Sequence, residues 1–346
     1  MNVIACVNRN EEVRLKSSSG GVFSLLAEKI IEKNGIVYGV TMTSDCYSAK
    51  FIRVSDIDGL DKLRGSKYLQ AKMGNTYKNV MQDVVNEKLV LFSGTGCQIN
   101  GLKSYLQKEY ENLICIDVIC HGVPSPELWK RYVQFQEKKD GKLETINFRS
   151  KDDSWIDFGM KENQLYISKD KDPYMQMFLR DYCLRPSCYK CVAKEHKKSD
   201  ITIADFWGIE SVAPEMNDGK GTSLVLLRTE KGETLLNEIK ECMNIKKVDY
   251  ESAVRCNPSE YKSVDKPKLR ESFFDDMNTM AFTDLSNKYA APIIIPLKYR
   301  VKTVIKQKLK TILKPILKNV KRGGYQETRS NVDYGMLFTF KNDKSK

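Results

Sequence analysis

Cys188 and Cys191 form a C-x2-C pair around Tyr189 and Lys190, and Cys183 stands five positions before the first of them. Thiolates at this spacing can turn inward from one loop onto a single soft metal centre. The residues alone leave two completions open. His196, in a C-x4-H step after Cys191, would make a Cys3His zinc site. Cys97 or Cys120, each ending an apolar run, would instead make a 4Fe-4S set.

Four other stretches carry the types needed to hold a ligand. Ser17-Ser18-Ser19-Gly20-Gly21 leads into an amphipathic run from Val22 to Lys33. Serines there would cap free backbone N–H groups, the glycines would let a ligand approach, and the helix dipole favours a phosphate-like anion. Phe92-Ser93-Gly94-Thr95-Gly96-Cys97-Gln98 reads as strand, turn and helix, the layout that puts a ligand at the carboxyl end of a parallel sheet. It lacks the third glycine and the acidic residue of a dinucleotide fingerprint. Cys97 is open to three roles in that turn: ligand, nucleophile or small buried residue.

Cys120-His121-Gly122-Val123-Pro124 also ends an apolar strand. Neighbours on an extended chain point to opposite sides, so a Cys120–His121 catalytic pair is disfavoured against metal ligation by Cys120 and substrate contact by His121. Asp205-Phe206-Trp207-Gly208 joins an acid to two large aromatics, which suits a flat ligand with a ring N–H or ribose hydroxyl, and Lys67 lies in the polar loop Arg64-Gly65-Ser66-Lys67-Tyr68.

These segments need a scaffold, and the pattern up to about residue 260 alternates short β-rich runs with amphipathic helices. Strands are expected at Ile36–Met42, Lys88–Ser93, Leu113–Cys120, Ile201–Asp205 and Thr222–Arg228. Helices are expected at Val22–Lys33, Ile99–Lys108, Pro126–Lys138 and Gly232–Met243. Such alternation predicts an α/β fold with a largely parallel sheet, and Leu143–Ser168 reads as a small antiparallel insertion. The expected boundaries fall after residues 85 and 262, with 263–346 a linker and basic tail.

A chain of 346 residues builds a core without disulfides, and it shows neither a signal-peptide pattern nor a membrane-length apolar run. A cytoplasmic protein is expected, where ten cysteines point to metal ligation and buried thiols rather than disulfides. The net charge of +12 comes mostly from residues 285–326, which carry eleven Lys or Arg and no Asp or Glu. Apolar residues recur there at helical spacing, so residues 298–322 read as a basic amphipathic helix suited to peripheral contact with an anionic membrane. No nucleic-acid partner is expected.

Taken together and in order, SSSGGVFS (17–24), RGSKYLQ (64–70), LFSGTGCQINGLKSYL (91–106), ICHGVPSP (119–126), LRPSCYKC (184–191) and SDITIADFWGI (199–209) resemble the coenzyme F420 hydrogenase/dehydrogenase beta-subunit family. That family includes chlorophyll-cycle reductases and members of surface-polysaccharide gene clusters. The resemblance covers residues 1–260 and implies that 1–85 is the N-terminal part of a flavin-binding region and 86–262 an iron–sulfur and flavin catalytic region. It implies an iron–sulfur flavoprotein oxidoreductase passing electrons between a 4Fe-4S cluster, FAD and an organic substrate. The substrate would be the deazaflavin F420 or a polysaccharide-pathway precursor. It further implies FAD on Ser18, Ser19, Gly20, Gly21, Lys67, Gly94, Thr95, Gly96 and Gln98, with Asp205 beside it. The cluster would sit on Cys97, Cys120, Cys188 and Cys191, with Cys183 as the alternative to Cys97.

Departures from the family pattern are Gly96 in place of proline, Ala204 in place of glycine, and a missing ferredoxin-like CxxCxxC stretch. Further clusters would therefore come from a ferredoxin-like or other redox partner protein. The rival reading is a non-catalytic zinc-binding or electron-relay module that docks to a partner.

Overall fold

The computed structural model describes residues 1–290. Their framework is a nine-stranded sheet in the order β12-β1-β11-β10-β6-β5-β2-β3-β4. The strands are β1 (Asn2–Asn8), β2 (Ile36–Met42), β3 (Ala49–Val54), β4 (Ala71–Lys72), β5 (Val90–Thr95), β6 (Leu113–Val118), β10 (Ile201–Asp205), β11 (Ser223–Leu227) and β12 (Met243–Lys247). A separate sheet is made of β7 (Ile146–Ser150), β8 (Gly159–Glu162) and β9 (Leu165–Ser168).

The central strands β2, β5, β6 and β10 run parallel, as the alternating pattern predicts. The flanks are antiparallel: β11 pairs with β10 and β1, β12 pairs with β1, and β3 pairs with β2. Strands β1, β3, β4 and β12 lie outside the sequence expectation; β12 is lysine-rich with four of its five residues exposed, so it carries no apolar signal. The antiparallel insertion Leu143–Ser168 is present as β7 to β9.

Period-two alternation explains why the centre is buried on both faces. Leu91, Ile114 and Ile116 join Ile4, Val22, Leu26 and Ile30 on one face, so helix Val22–Glu32 covers it. Val90, Phe92, Leu113 and Cys115 join Ile99 and Leu102 on the other, under helix Gly96–Leu106. Residues 1–85 and 86–262 thus share one sheet.

A further core packs against the β2–β3–β4 side of the sheet, through Val40, Met42, Ala49 and Ala71. Trp129, Tyr132, Tyr174, Phe148 and Phe273 pack together, with Trp129 ring centroids 4.9 Å from both Phe148 and Tyr174. Helices Arg270–Thr279 and Phe282–Tyr289 belong to it, through buried Phe273, Met277, Leu285 and Tyr289. The expected linker from residue 263 is therefore partly folded body. The amphipathic helix expected at 298–322 lies outside the described residues. Among the described residues no helix is long and apolar enough to cross a membrane.

Candidate functional site

Register places the strand ends that lead into the candidate turns at one end of the large sheet. Thr95 at the end of β5 faces Val118 at the end of β6, Val118 pairs with Ile203 of β10, and Asp205 pairs with Ser223 of β11. Antiparallel β1 arrives at the same end, where Cys6 pairs with Ser223. Turns after these strands must then converge, as in other parallel α/β sheets.

Cys97, Cys120, Cys188 and Cys191 are charge neighbours there. Cys120 feels the charges of Cys97, Cys188 and Cys191, and Cys188 feels those of Cys97 and Cys191. Burial pushes the Cys120 thiol up to about 12 and raises that of Cys188, so a cation binding these sulfurs must displace their protons. Lys194 and Arg185 supply positive charge beside them. Cys97 is exposed, on the first turn of helix Gly96–Leu106, with its Sγ 3.2 Å from Thr95 Oγ1. The buried-residue option for Cys97 is thus excluded.

Cys183 has no exposed surface and sits in the aromatic core, where burial raises its thiol and Asp181 and Arg270 are the neighbouring charges. His196 is exposed on the far side of a short helix, Val192–Glu195. The zinc set Cys183/Cys188/Cys191/His196 therefore has one member locked in the core. Among the described residues, no three His, Cys, Asp or Glu side chains are already closed on one point as a single metal ion needs. The donor set at the sheet edge nonetheless fits an iron–sulfur cluster by chemistry: four thiols, drawn from two strand ends and one loop.

The serine–glycine turn differs from expectation in its details. Gly21 itself is the N-cap of helix Val22–Glu32, at φ +85°, and no side chain caps that helix. Ser17 Oγ donates to Val13 O, Ser19 Oγ donates to Thr222 O, and Ser18 Oγ accepts from Ser66 N at 2.9 Å. The serines therefore tie the turn to its neighbours and leave the first-turn N–H groups to another acceptor. Gly20 is explained by packing, because a Cβ there would lie 2.5 Å from Cys6 O and 2.7 Å from Ser223 N.

Lys67 Nζ donates to Leu63 O and Arg64 O at 2.9 and 2.7 Å, closing the end of a short helix, and burial pushes its pKa down to about 7. Gln98 is also committed, its Oε1 accepting from Thr95 N at 2.9 Å, and Gly94 packs on that side chain. Gly96 approaches Asp117, whose Oδ2 would lie 3.2 Å from a Cβ. Buried Asp117 accepts from Ser199 and Thr202, and burial raises its pKa. Sequence reading missed Asp117 because an acid inside an apolar strand carries no motif.

Asp205 finds a partner in the insertion. Arg149 of β7 is 4% exposed and puts Nη2 3.0 Å from Asp205 Oδ2, with its guanidinium 3.8 Å from the Phe158 ring centroid. Arg149 Nε has no hydrogen-bond acceptor, and the buried Trp155 Nε1 likewise lacks one. Trp155 stacks on Trp207 at 4.9 Å. Lys151 Nζ donates to Arg14 O, Ser19 O and Lys220 O, stapling the insertion to the serine–glycine turn, and burial pushes its pKa down to about 8. Orphaned buried donors beside an uncapped helix start suit a ligand rich in acceptors, as a flavin nucleotide is. No sequence signal marked Arg149 or Lys151.

His121 turns away from Cys120, as the extended geometry requires. Its Nε2 lies 2.6 Å from Asp181 Oδ1, and its ring meets Phe178 edge-on at 5.3 Å. Phe178 in turn lies 5.3 Å from Tyr68, whose neighbours include Arg149 and Asp205. An aromatic wall thus joins the thiol side of the edge to the Asp205 side.

An α/β sheet that brings cysteines and unpartnered buried donors to the carboxyl ends of its parallel strands suits redox chemistry, and comparison with known proteins agrees with that class. Residues 3–77 match the model of the coenzyme F420 hydrogenase/dehydrogenase beta subunit N-terminal region, and residues 87–253 match that of its C-terminal region. The chain belongs to this family of oxidoreductases. It is 22% identical over 245 residues, 68% of its length, to the coenzyme F420-dependent sulfite reductase of Methanocaldococcus jannaschii. It spans 37% of the length of that relative. A chain of the F420-reducing [NiFe] hydrogenase complex from Methanosarcina barkeri shares the fold, with a TM-score of 0.51 and 13% identity over 71% of this chain and 81% of that one.

Proposed function

We propose that this protein is an iron–sulfur flavoprotein that moves electrons between a redox partner and an organic substrate. Cys97, Cys120, Cys188 and Cys191 would hold a 4Fe-4S cluster. FAD would lie along Ser18–Gly21, Lys67 and Gly94–Gln98, with Asp205 beside it. The observation that carries this reading is that Cys97, Cys188 and Cys191 are all charge neighbours of Cys120, at the end of the sheet that also bears the uncapped helix start.

When bound, the cluster supplies single-electron steps and the flavin couples them to two-electron chemistry. The chain's own residues set the conditions. Val123 N–H donates to Cys188 Sγ at 3.4 Å and steadies charge on that sulfur. Lys194 and Arg185 offset thiolate charge. Asp181 fixes the ring of His121 at its Nε2, leaving a partly exposed imidazole beside the aromatic wall where a planar substrate would contact it. The substrate is the deazaflavin F420 or a precursor in polysaccharide synthesis.

Protein purified without oxygen tests the reading by metal, sulfide and flavin analysis. About four iron and four sulfide with one FAD per chain are expected. One zinc without flavin would instead identify a non-catalytic module. The reading includes attachment of residues 298–322 to anionic lipid, checked by sedimenting the full chain and a chain ending at residue 297 with anionic vesicles.

A further inference from the structure

The thiol edge opens onto a surface that nothing in the reaction uses. Val192, next after Cys191, is 64% exposed, and Tyr261 and Leu269 are 50% and 52% exposed. These apolar tips come from two segments that lie side by side. Cys191 N donates to Ser263 Oγ at 2.9 Å, Lys194 Nζ donates to Lys262 O at 2.9 Å, and Arg270 donates to Leu184 O at 2.9 Å. Isolated exposed apolar side chains are ordinary, but three on two hydrogen-bonded segments beside Cys191 suit a contact surface.

The charges around them have one predominant sign. Arg185, Lys190, Lys262 and Lys268 are exposed and Lys194 is half-buried. The acids on the same two segments that lack a salt bridge are Glu195 and Asp265; Lys197 is neutralised by Glu260, and Lys266 by Glu271. Two occupants are disfavoured by charge alone. The chain's own residues 285–326 contain no acid, and a second copy would present the same basic face.

We infer that Val192, Tyr261 and Leu269, ringed by Arg185, Lys190 and Lys262, form the docking face for a small acidic electron-transfer protein. The inference rests on the reading that Cys97, Cys120, Cys188 and Cys191 hold a redox centre. A partner seated on Val192 lies one residue from Cys191, which is where electrons would have to cross. Small, charge-steered contacts with an apolar centre suit transient encounters of this kind.

The test uses the full chain, purified without oxygen, and a small acidic 2[4Fe-4S] ferredoxin as probe, with binding measured by calorimetry. Lys190→Glu/Lys262→Glu should weaken binding about tenfold, and high salt should do the same to the wild type. Val192→Ser should weaken it without changing the salt dependence. Lys88→Glu/Lys108→Glu makes an equal change of charge beside the amino ends of β5 and β6, and should alter binding less than about twofold. Equal loss in both double variants, or none in the first, overturns the docking face. So does heparin binding as tightly as the ferredoxin with the same loss, which would make the surface a general polyanion site. Iron analysis of the same samples separates the two claims: patch-dependent binding without iron keeps the docking face and removes the cluster.

Discussion

Val123 N–H donates to Cys188 Sγ across 3.4 Å, joining the turn that follows Cys120 to the loop that carries Cys188 and Cys191. The same two stretches are also linked where Pro124 bridges Leu184 and where Ser125 N donates to Cys183 O at 2.8 Å. Cys183 therefore acts as part of the hinge that positions the other cysteines, with its backbone rather than its thiol.

Replacing Cys120 or Cys188 by Ser should remove most of the iron and the broad visible absorbance of the anaerobic protein. Cys183→Ser should keep the iron while lowering stability, since its side chain is fully buried in the core. Exposed Cys242→Ser should change neither. Full iron content in the Cys188 variant, measured by colorimetric assay, would refute the ligand assignment.

Gly20 and Gly65 separate packing from conformation. A methyl at Gly20 meets the Cys6 carbonyl at 2.5 Å, so Gly20→Ala should cost about 1–3 kcal/mol or more, the usual range for overpacking. Gly65 has φ +80° and nothing within 4 Å, so Gly65→Ala should cost only the left-handed penalty of about 1–2 kcal/mol. Urea unfolding midpoints would show the order; a Gly20 variant as stable as wild type would mean the turn can retreat.

Arg149→Ala would leave the Asp205 carboxylate, 16% exposed, without its cation. Breaking a buried pair on one side typically costs about 3–5 kcal/mol, an upper bound here because Asp205 keeps some solvent. Arg149→Ala/Asp205→Asn should recover much of that loss in denaturant titrations. If the double variant is no more stable than the single one, the ion pair is not what Arg149 contributes.

Asp172 should make stability depend on pH. Burial pushes its carboxyl up to about 7, although Tyr132 OH and Met175 N both donate to it. A carboxyl raised on folding holds its proton better in the folded state, so stability is fullest below the unfolded value near 4 and falls as pH rises through 7. Glu162, raised by burial and sharing Tyr132, titrates with it as a pair. Asp172→Asn should flatten the fall between those pH values. An unchanged slope in urea midpoints would move the titration to another group.

Short-range pattern fixed much of this protein. The central parallel strands, the helices covering them and the antiparallel insertion follow from period-two and helical hydrophobic spacing, which the chain carries within each element. The C-x2-C pair and the turns ending β5 and β6 were legible for the same reason: each is a local signal.

Only the tertiary structure decided which candidates meet. Register between β5 and β6 sets the turns bearing Cys97 and Cys120 side by side, where Cys188 and Cys191 are charge neighbours of Cys120, while packing draws Cys183 into the aromatic core despite its closer spacing in sequence. Gly20 and Lys67 found structural partners, a neighbouring strand and a helix end, that no local pattern could name. Arg149 and Lys151 reach the site from an insertion more than a hundred residues beyond the serine–glycine turn. Contacts across that distance are set by how sheets and helices stack, and a linear sequence read one window at a time does not contain the stacking.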